Sequence, residues 1–149
     1  MSVLRDVLAA DLPALYEYEH DPGAGDMAAF PPRERDAFMA HWARLLADDS
    51  VVTRAIVSDG EVAGNIGCWE DGGKWFLGYW IGRRFWGRGL ATRALSELVG
   101  IVETRPLYAH VVKTNIASIR VLEKCGFVEA DAHTAGDGLE EVLYELPAI

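Results

Sequence analysis

The sequence predicts an α/β (α+β) fold in which a mixed central sheet of about seven strands is flanked by about four helices. Short apolar runs bounded by turn residues alternate with amphipathic segments, in the order βααβββαβαββ. A predicted helix at 90–102 lies between two apolar runs, 75–82 and 106–112. Because a helix crosses between them, these two strands are predicted to be parallel.

The first fifty residues predict one short strand and two helices. Residues 4–8 form the strand, and Asp11 is a candidate N-cap for the helix that follows. Residues 20–32 are rich in proline and glycine and are predicted to be a loop. Four apolar side chains at helical spacing predict the second helix: Phe38, Trp42, Leu45 and Leu46.

Three strands follow, joined by tight turns. The runs 51–57 and 62–69 flank the hairpin turn at 58–61, and a second turn at 71–74 leads into the run 75–82. That last run is almost wholly apolar, which is typical of a central strand covered on both faces.

The end of the chain predicts a capped helix and a final pair of strands. Asn115 is a good N-cap for a helix at 116–125, and Gly126 suits the position just after it. The remaining strands are predicted at 127–130 and 139–146.

Composition excludes several classes of protein. Residues 1–149 have the length of one domain, and a net charge of −9 argues against general nucleic-acid binding. No apolar run approaches the ~20 residues of a membrane span, and residues 1–6 lack the apolar core of a signal peptide. Cys68 and Cys125 do not form a CxxC pair and fit a reducing compartment. We therefore expect a cytoplasmic enzyme or binding domain with no metal and no membrane partner.

The most informative segment is the glycine turn at 79–92. An apolar strand runs into a basic turn, Gly87 and Gly89 follow, and a helix begins at once. That order brings free backbone N–H groups and a helix dipole beside Arg84 and Arg88, which suits a phosphate or pyrophosphate. The turn is neither a P-loop nor a complete dinucleotide-binding fingerprint. A basic turn without a ligand is the alternative.

The charges are unevenly distributed along the chain. Four arginines cluster around the glycine turn, at positions 83, 84, 88 and 93, whereas acidic residues dominate several other segments. A cationic spot on an anionic body suits an anionic cofactor combined with an amine co-substrate. An acidic surface that only keeps the protein in solution is the alternative.

Two motifs resemble a known family. The first is Arg84-x-x-Gly87-x-Gly89-x-Ala91, and the second is Asn115-Ile-Ala-Ser-Ile-Arg-Val-Leu-Glu-Lys-Cys-Gly-Phe127. Together they resemble the GNAT superfamily of acyl-CoA-dependent N-acyltransferases, and the second is similar to the branch of ribosomal-protein N-terminal acetyltransferases. The resemblance implies the GNAT fold, in which the parallel pair of strands splays apart.

The resemblance also implies where acetyl-CoA binds as co-substrate. The pantetheine arm would fill the splayed gap along the backbone of Trp80, Ile81 and Gly82, with Asn115 contacting the pantetheine or the thioester end. The pyrophosphate would lie beside Arg84. Its backbone donors would come from six residues: Gly87, Arg88, Gly89, Leu90, Ala91 and Thr92.

The implied reaction is transfer of an acetyl group to a primary amine by direct attack in a ternary complex. The acceptor amine must be neutral to attack, so a carboxylate, histidine or water must take a proton. Two positions depart from the family: Phe76 replaces a common glutamate, and Leu122 replaces a common tyrosine. Ser118, close to the implied position of the sulfur, is the substitute acid.

For the base, Glu70 at the end of the strand before 75–82 is the first candidate. A solvated turn carboxylate is the alternative reading of Glu70. His110 is the second candidate, Tyr79 fits either role or neither, and bulk water suffices if the acceptor is an α-amine.

The acceptor is expected to be cationic. In this fold the segments 17–32 and 131–138 line the acceptor side, and a peptide N-terminus, a polyamine and an aminoglycoside stay open as classes. A non-catalytic acyl-CoA-binding domain, an enzyme with another acyl donor, and a homodimer also stay open. The segments carry Glu17, Glu19, His20, Asp21, Asp26, Asp131, His133 and Asp137.

Overall fold

The structure, a computed structural model, describes residues 2–21, 33–134 and 140–148, with only the backbone at 131–134. The helices are α1 (Leu12–Glu19), α2 (Arg35–Ala47), α3 (Leu90–Ile101) and α4 (Ile116–Lys124). The strands are β1 (Leu4–Arg5), β2 (Val52–Ser58), β3 (Glu61–Asp71), β4 (Lys74–Ile81), β5 (Leu107–Val112), β6 (Val128–Thr134) and β7 (Glu140–Leu146). The predicted element order is confirmed. Among the described helices, none is long and apolar enough to cross a membrane.

The seven strands form one mixed sheet in the order β1-β2-β3-β4-β5-β7-β6. The pair β4 and β5 is parallel, and the other neighbouring pairs are antiparallel. The parallel pairing is short: it joins Trp75 to Leu107 and Phe76 to Tyr108. Beyond Phe76 the described strands are no longer paired, so the sheet opens between them. The expected splayed parallel pair is confirmed.

The apolar strand β4 is less covered than its sequence predicts. In the run 75–82 only two residues are buried: Leu77 within β4, and Gly82 just after its end. The other residues are half-buried. Full coverage on both faces was therefore the wrong expectation. The physical reason is that β4 borders two cavities, described below. Its apolar side chains form part of the cavity walls and therefore stay partly accessible.

Two apolar clusters hold the helices against the sheet. One face of α3 buries Leu95 and Leu98 completely against strand residues such as Ile66. On the other side of the sheet, Phe38 and Trp42 of α2 pack with Leu15, Leu12, Val7 and Ala55. Each fully buried side chain of this size contributes about 1.5–3 kcal/mol of transfer free energy. This packing fixes the N-terminus of α3, and hence the glycine turn, relative to β4.

The start of the chain departs from the prediction in two ways. The strand β1 ends at Arg5, and a short 3-10 turn at 9–11 leads directly into α1. Asp11 already has helical dihedral angles, so its side chain does not cap α1. Its carboxylate instead accepts hydrogen bonds from Leu8 N at 2.8 Å and from Arg5 Nη1 and Nη2 at 2.7 and 2.9 Å.

Candidate active site

The glycine turn presents an open helix N-terminus. Gly87 and Gly89 have φ angles of 81° and 74°, in the left-handed region that favours glycine. Gly89 is the N-cap of α3, and no side chain caps the first turn of that helix. A Cβ at either glycine would meet no atom of the described residues within 4 Å. The first N–H groups of α3 therefore face open space, as an anion-binding turn requires.

A cavity of about 300 Å³ extends from this turn along β4 to the start of α4. We call it the first cavity. Its walls are mostly apolar, and the polar side chains of Tyr79, Asn115 and Ser118 come from β4 and the start of α4. A mostly apolar channel that joins an anion-binding turn to polar side chains suits a long ligand with a charged end.

A second cavity, of about 770 Å³, lies between β3, β4, β5 and the helices α1 and α2. Three carboxylates line it, from Glu19, Glu70 and Glu141, together with the indole rings of Trp42 and Trp69. Burial, aided by Arg33 and Arg44, lowers the pKa of His41, another lining residue, below its usual value. His41 is therefore neutral at pH 7 and does not offset the carboxylates.

The two cavities meet at four residues that line both: Tyr79, Trp80, Asn115 and Ser118. The hydroxyls of Tyr79 and Ser118 are hydrogen-bonded at 2.6 Å. Asn115 Oδ1 accepts the N–H of Ser118 at 3.2 Å, which confirms Asn115 as the N-cap of α4. Burial raises the pKa of Tyr79, and the bond to Ser118 offsets this only in part, so the phenol is protonated at neutral pH. Two fixed hydroxyls thus stand at the junction.

Comparison with known proteins identifies the family. A family profile described as an acetyltransferase (GNAT) domain matches residues 2–128, which is most of the chain. The chain belongs to the GNAT acetyltransferase family. It is therefore an acetyl-CoA-dependent acyltransferase. No curated protein matches the sequence.

Solved GNAT structures share the fold. RimL, a ribosomal L7/L12 alpha-N-protein acetyltransferase solved with coenzyme A, has a TM-score of 0.81 at 17% identity over 95% of this chain and 91% of that chain. AAC(6')-Ib in complex with paromomycin and acetyl-CoA has a TM-score of 0.79 at 23% identity over 99% and 94% of the two chains. A spermidine N-acetyltransferase chimera from Vibrio cholerae SpeG and hSSAT has a TM-score of 0.81 at 16% identity over 97% and 93%. At these identities the likeness establishes the fold alone.

Most of the GNAT residues predicted to contact acetyl-CoA line the first cavity. They come from β4, the glycine turn and the start of α4, as the spacing of the motifs predicts. The lining includes Trp80, Ile81, Gly87, Gly89, Leu90, Ala91, Asn115 and Ser118.

Four other predicted cofactor residues lie outside that lining. The N–H of Gly82 donates to Ala63 O at 2.8 Å within the sheet. Thr92 lies in α3, where its carbonyl accepts the Cys125 thiol at 3.7 Å. The other two, Arg84 and Arg88, lie beside the glycine turn.

The arginines at the turn are paired with acids. Arg83 contacts Asp21 at 3.1 Å and Arg84 contacts Glu61 at 3.3 Å. Arg88 Nη1 lies 3.1 Å from Ser58 Oγ and 3.7 Å from Asp59. The predicted cationic spot is thus largely compensated. The arginines of these pairs are exposed, and exposed ion pairs contribute little to stability, so a phosphate can displace them.

The two catalytic candidates lie in different places relative to the junction. Ser118 lies at the junction itself, whereas Glu70, exposed near the end of β3, lines only the second cavity. Phe76, in place of the common family glutamate, stacks on His110 with ring centroids 5.1 Å apart. Leu122, in place of the common tyrosine, is buried and lines the second cavity. Neither replacement carries a proton to exchange.

The acceptor residues are only partly brought together. Glu19 lines the second cavity, whereas Glu17 is exposed outside that lining. His20 stacks on Tyr16, and Asp21 pairs with Arg83. The remaining predicted residues lie outside the described residues or side chains: Asp26, Asp137, Asp131 and His133.

Sequence reasoning missed several lining residues. Trp86 is 47% exposed, lines the first cavity and donates its indole N–H to Ile81 O at 2.9 Å. Trp42 was used only to predict the second helix, and His41 was not singled out. Glu19 was named on the acceptor side, and its place four residues after Leu15, on the apolar stripe of α1, distinguishes it from the other acidic residues named there.

Proposed function

We propose that this GNAT protein transfers the acetyl group of acetyl-CoA to a primary amine by direct attack in a ternary complex. The observation that carries the proposal is the junction, where a channel that fits the cofactor opens into an acidic cavity. The hydroxyls of Tyr79 and Ser118 lie at that point, 2.6 Å apart.

We assign the pantetheine arm and the pyrophosphate of acetyl-CoA to the first cavity. The open space at Gly87 and Gly89, which a Cβ would enter, suits the pyrophosphate, and the N–H groups from Gly87 to Thr92 are its donors. Arg84 and Arg88 supply positive charge after leaving their exposed acidic partners.

The backbone of β4 has donors for the pantetheine arm. Antiparallel pairing alternates, and Gly82 N bonds to Ala63 O on β3. By that alternation the N–H groups of Tyr79 and Ile81 point toward the gap beside β5, whereas Trp80 points toward β3. We therefore assign the arm's backbone contacts to Tyr79 and Ile81, with Trp80 contributing its side chain. A backbone N–H near Tyr79 is also the donor for the oxyanion.

The proton steps fall to residues on either side of the junction. Acetyl-CoA supplies an acetyl thioester, which the neutral amine attacks and from which the CoA thiolate leaves. Ser118 Oγ, hydrogen-bonded to the Tyr79 hydroxyl, donates a proton to the leaving thiolate and regains one from solvent at the junction, while the Asn115 cap holds the Ser118 backbone N–H. On the amine side Glu70, which pairs with Trp75 four residues before Tyr79 on β4, receives the proton through water in the second cavity.

One specific observation favours a second candidate function. Phe76 and Leu122 occupy the positions where many members of the family carry an acid or base, which favours a domain that binds acyl-CoA without turnover. An enzyme that uses a longer acyl donor is a further alternative.

For the cellular location, the two free cysteines favour the reducing cytoplasm.

The test is CoA thiol release with acetyl-CoA and a panel of peptide N-termini, polyamines, aminoglycosides and simple amines. Release that depends on one amine class supports the proposal and identifies the acceptor. Intact acetyl-CoA binding without release across the panel favours the non-catalytic domain. Release with succinyl-CoA or a longer acyl-CoA, and not with acetyl-CoA, favours the other donor.

A further inference from the structure

Glu19 is a buried carboxylate with an unused acceptor atom. The residue is 9% exposed, and its Oε1 is fully buried without a hydrogen-bond partner among the described residues. Its described ionic contact is an ion pair with Arg33 Nη1 at 3.5 Å, which is longer than a good hydrogen bond. A buried carboxylate oxygen left without a donor is costly, so the site is built for a donor that arrives later.

The surroundings of Glu19 suit an organic cation. The second cavity also carries Glu70 and Glu141, against the one guanidinium of Arg33 in the described lining. The indole of Trp69, which is 39% exposed, lines the same cavity and is available for a cation–π contact. Arg33 has 37% of its side chain exposed and can move toward solvent when another cation binds.

The reacting nitrogen itself cannot be that cation. It must be neutral when it attacks, and the attack takes place at the junction formed by Tyr79, Ser118, Asn115 and Trp80. Glu19 lines the second cavity and not the first, so it faces the acceptor but not the channel that fits acetyl-CoA. A charge held at Glu19 must therefore belong to a different group of the acceptor.

We propose that the acceptor is an amine with at least one further positive charge, and that Glu19 is the counter-ion that selects it. This inference rests on the proposed function and narrows its acceptor class. In the bound state the acceptor ammonium donates to Glu19 Oε1, while the second, neutral amine reaches the junction. Glu19 is then a specificity residue that acts through binding and takes no proton from the reacting nitrogen.

The experiment compares n-alkylamines with α,ω-diaminoalkanes of the same length, with CoA release measured at saturating acetyl-CoA. We expect kcat/KM to be about tenfold or more higher for the diamines. Glu19→Gln is expected to remove that advantage through KM, with kcat for the diamine and all constants for the monoamine changed less than about twofold. Glu17→Gln, an exposed carboxylate on the same helix, is the matched control and is expected to change nothing.

Two further measurements keep the proposal open to contradiction. Calorimetry with acetyl-CoA verifies that Glu19→Gln is folded. If that variant fails to fold, Arg33→Met serves instead: it removes the competing cation, and the KM for the diamine is expected to fall. A higher KM in Arg33→Met would overturn the assignment.

The remaining outcomes separate the two proposals. Equal turnover of monoamines and diamines by the unmodified protein would overturn this inference and leave the proposed function intact. An equal loss of kcat with both amine types in Glu19→Gln would make Glu19 the base and also overturn the inference. Silence with every amine would overturn both.

Discussion

The hydroxyls of Tyr79 and Ser118 meet at 2.6 Å, although the residues lie 39 positions apart in the chain. Tyr79 comes from β4, which borders the splayed gap, and Ser118 from the first turn of α4. Both residues line both cavities, so the hydrogen-bonded pair lies where the two cavities meet. This contact makes the junction a reaction centre in the proposal and is the basis of the first two predictions.

Ser118→Ala is expected to lower kcat by about 100-fold, because it removes the proton donor for the thiolate. The affinity for acetyl-CoA should change less than about twofold, since the Asn115 cap uses the backbone N–H that alanine keeps. Initial rates and calorimetry measure the two effects. Ser96→Ala, an exposed serine on α3, is the control. An equal loss of turnover and of acetyl-CoA affinity would make Ser118 a binding residue instead.

Tyr79→Phe is expected to slow turnover by about tenfold, less than Ser118→Ala, because the serine hydroxyl remains but loses its partner. The double variant should be no slower than Ser118→Ala alone, since the two hydroxyls act as one unit. A double-mutant cycle on kcat measures this coupling. Losses that simply multiply would show that the two hydroxyls act independently.

Gly89→Gln is expected to abolish acetyl-CoA binding in a folded protein, because the added side chain enters the space assigned to the pyrophosphate. The left-handed φ of Gly89 adds strain, so the control must share that strain. Gly73→Gln is that control, because Gly73 has a φ of 86° and equally open surroundings. It lies in the hairpin between β3 and β4. We expect calorimetry to detect no binding for the first variant and ordinary binding for the second. Unchanged affinity in Gly89→Gln would refute the pyrophosphate assignment.

Asp11→Asn is expected to reduce the free energy of unfolding at pH 7 by about 2 kcal/mol, because it breaks the bidentate pair with Arg5 inside the fold. The Arg5 hydrogen bonds hold the pKa of Asp11 below its usual value. A carboxyl whose folded-state pKa is depressed stabilises above its unfolded pKa of about 3.9 and loses that effect as the pH falls through the folded pKa. Urea unfolding should therefore show the full difference in unfolding free energy between the unmodified protein and Asp11→Asn at pH 7. Near pH 2 that difference should be small.

Asp6→Asn is the control for that experiment. Asp6 is an exposed neighbour, 4.0 Å from Arg54, and its replacement should change stability by less than about 0.5 kcal/mol. A stability gap for Asp11→Asn that is the same at both pH values would contradict the charge-based account.

Gly64→Ala is expected to destabilise the protein by about 2–3 kcal/mol, because its Cβ would collide with the backbone of Trp80 and lie 2.9 Å from Ile81 Cα. Gly100→Ala tests the opposite sign. Gly100 is an exposed residue of α3 with open space around it, and alanine there should stabilise by about 0.5–1 kcal/mol. Urea denaturation measures both. A tolerated Gly64→Ala would mean that β3 and β4 are less closely packed than described.

The fold could be predicted because its signals are local. The apolar stripe of α3, the Asn115 cap and the glycine turn each follow from a short stretch of sequence, and the element order follows from them. The misreadings arose where tertiary contacts overrule local rules. Asp11 looks like an N-cap but turns back to Arg5, and β4 looks like a covered strand but borders two cavities.

The site was less predictable, because proximity across the sheet leaves little trace in one sequence. The Tyr79–Ser118 contact depends on how far β4 and β5 diverge, which no local pattern encodes. The compensation of Arg84 and Arg88 by Glu61 and Asp59 depends likewise on the β2–β3 hairpin lying beside the turn. Glu19, by contrast, could have been singled out as a charge on an apolar helical stripe.

The measurement that tests the central claim most directly is mass spectrometry of both protein and acceptor after incubation with isotopically labelled acetyl-CoA and a diamine. Direct transfer at the junction predicts labelled acetyl on the amine nitrogen, CoA released in equal amount, and no label on the protein at any time. Label that accumulates on the protein before it reaches the amine, or acetyl-CoA that stays bound and intact, would contradict the account.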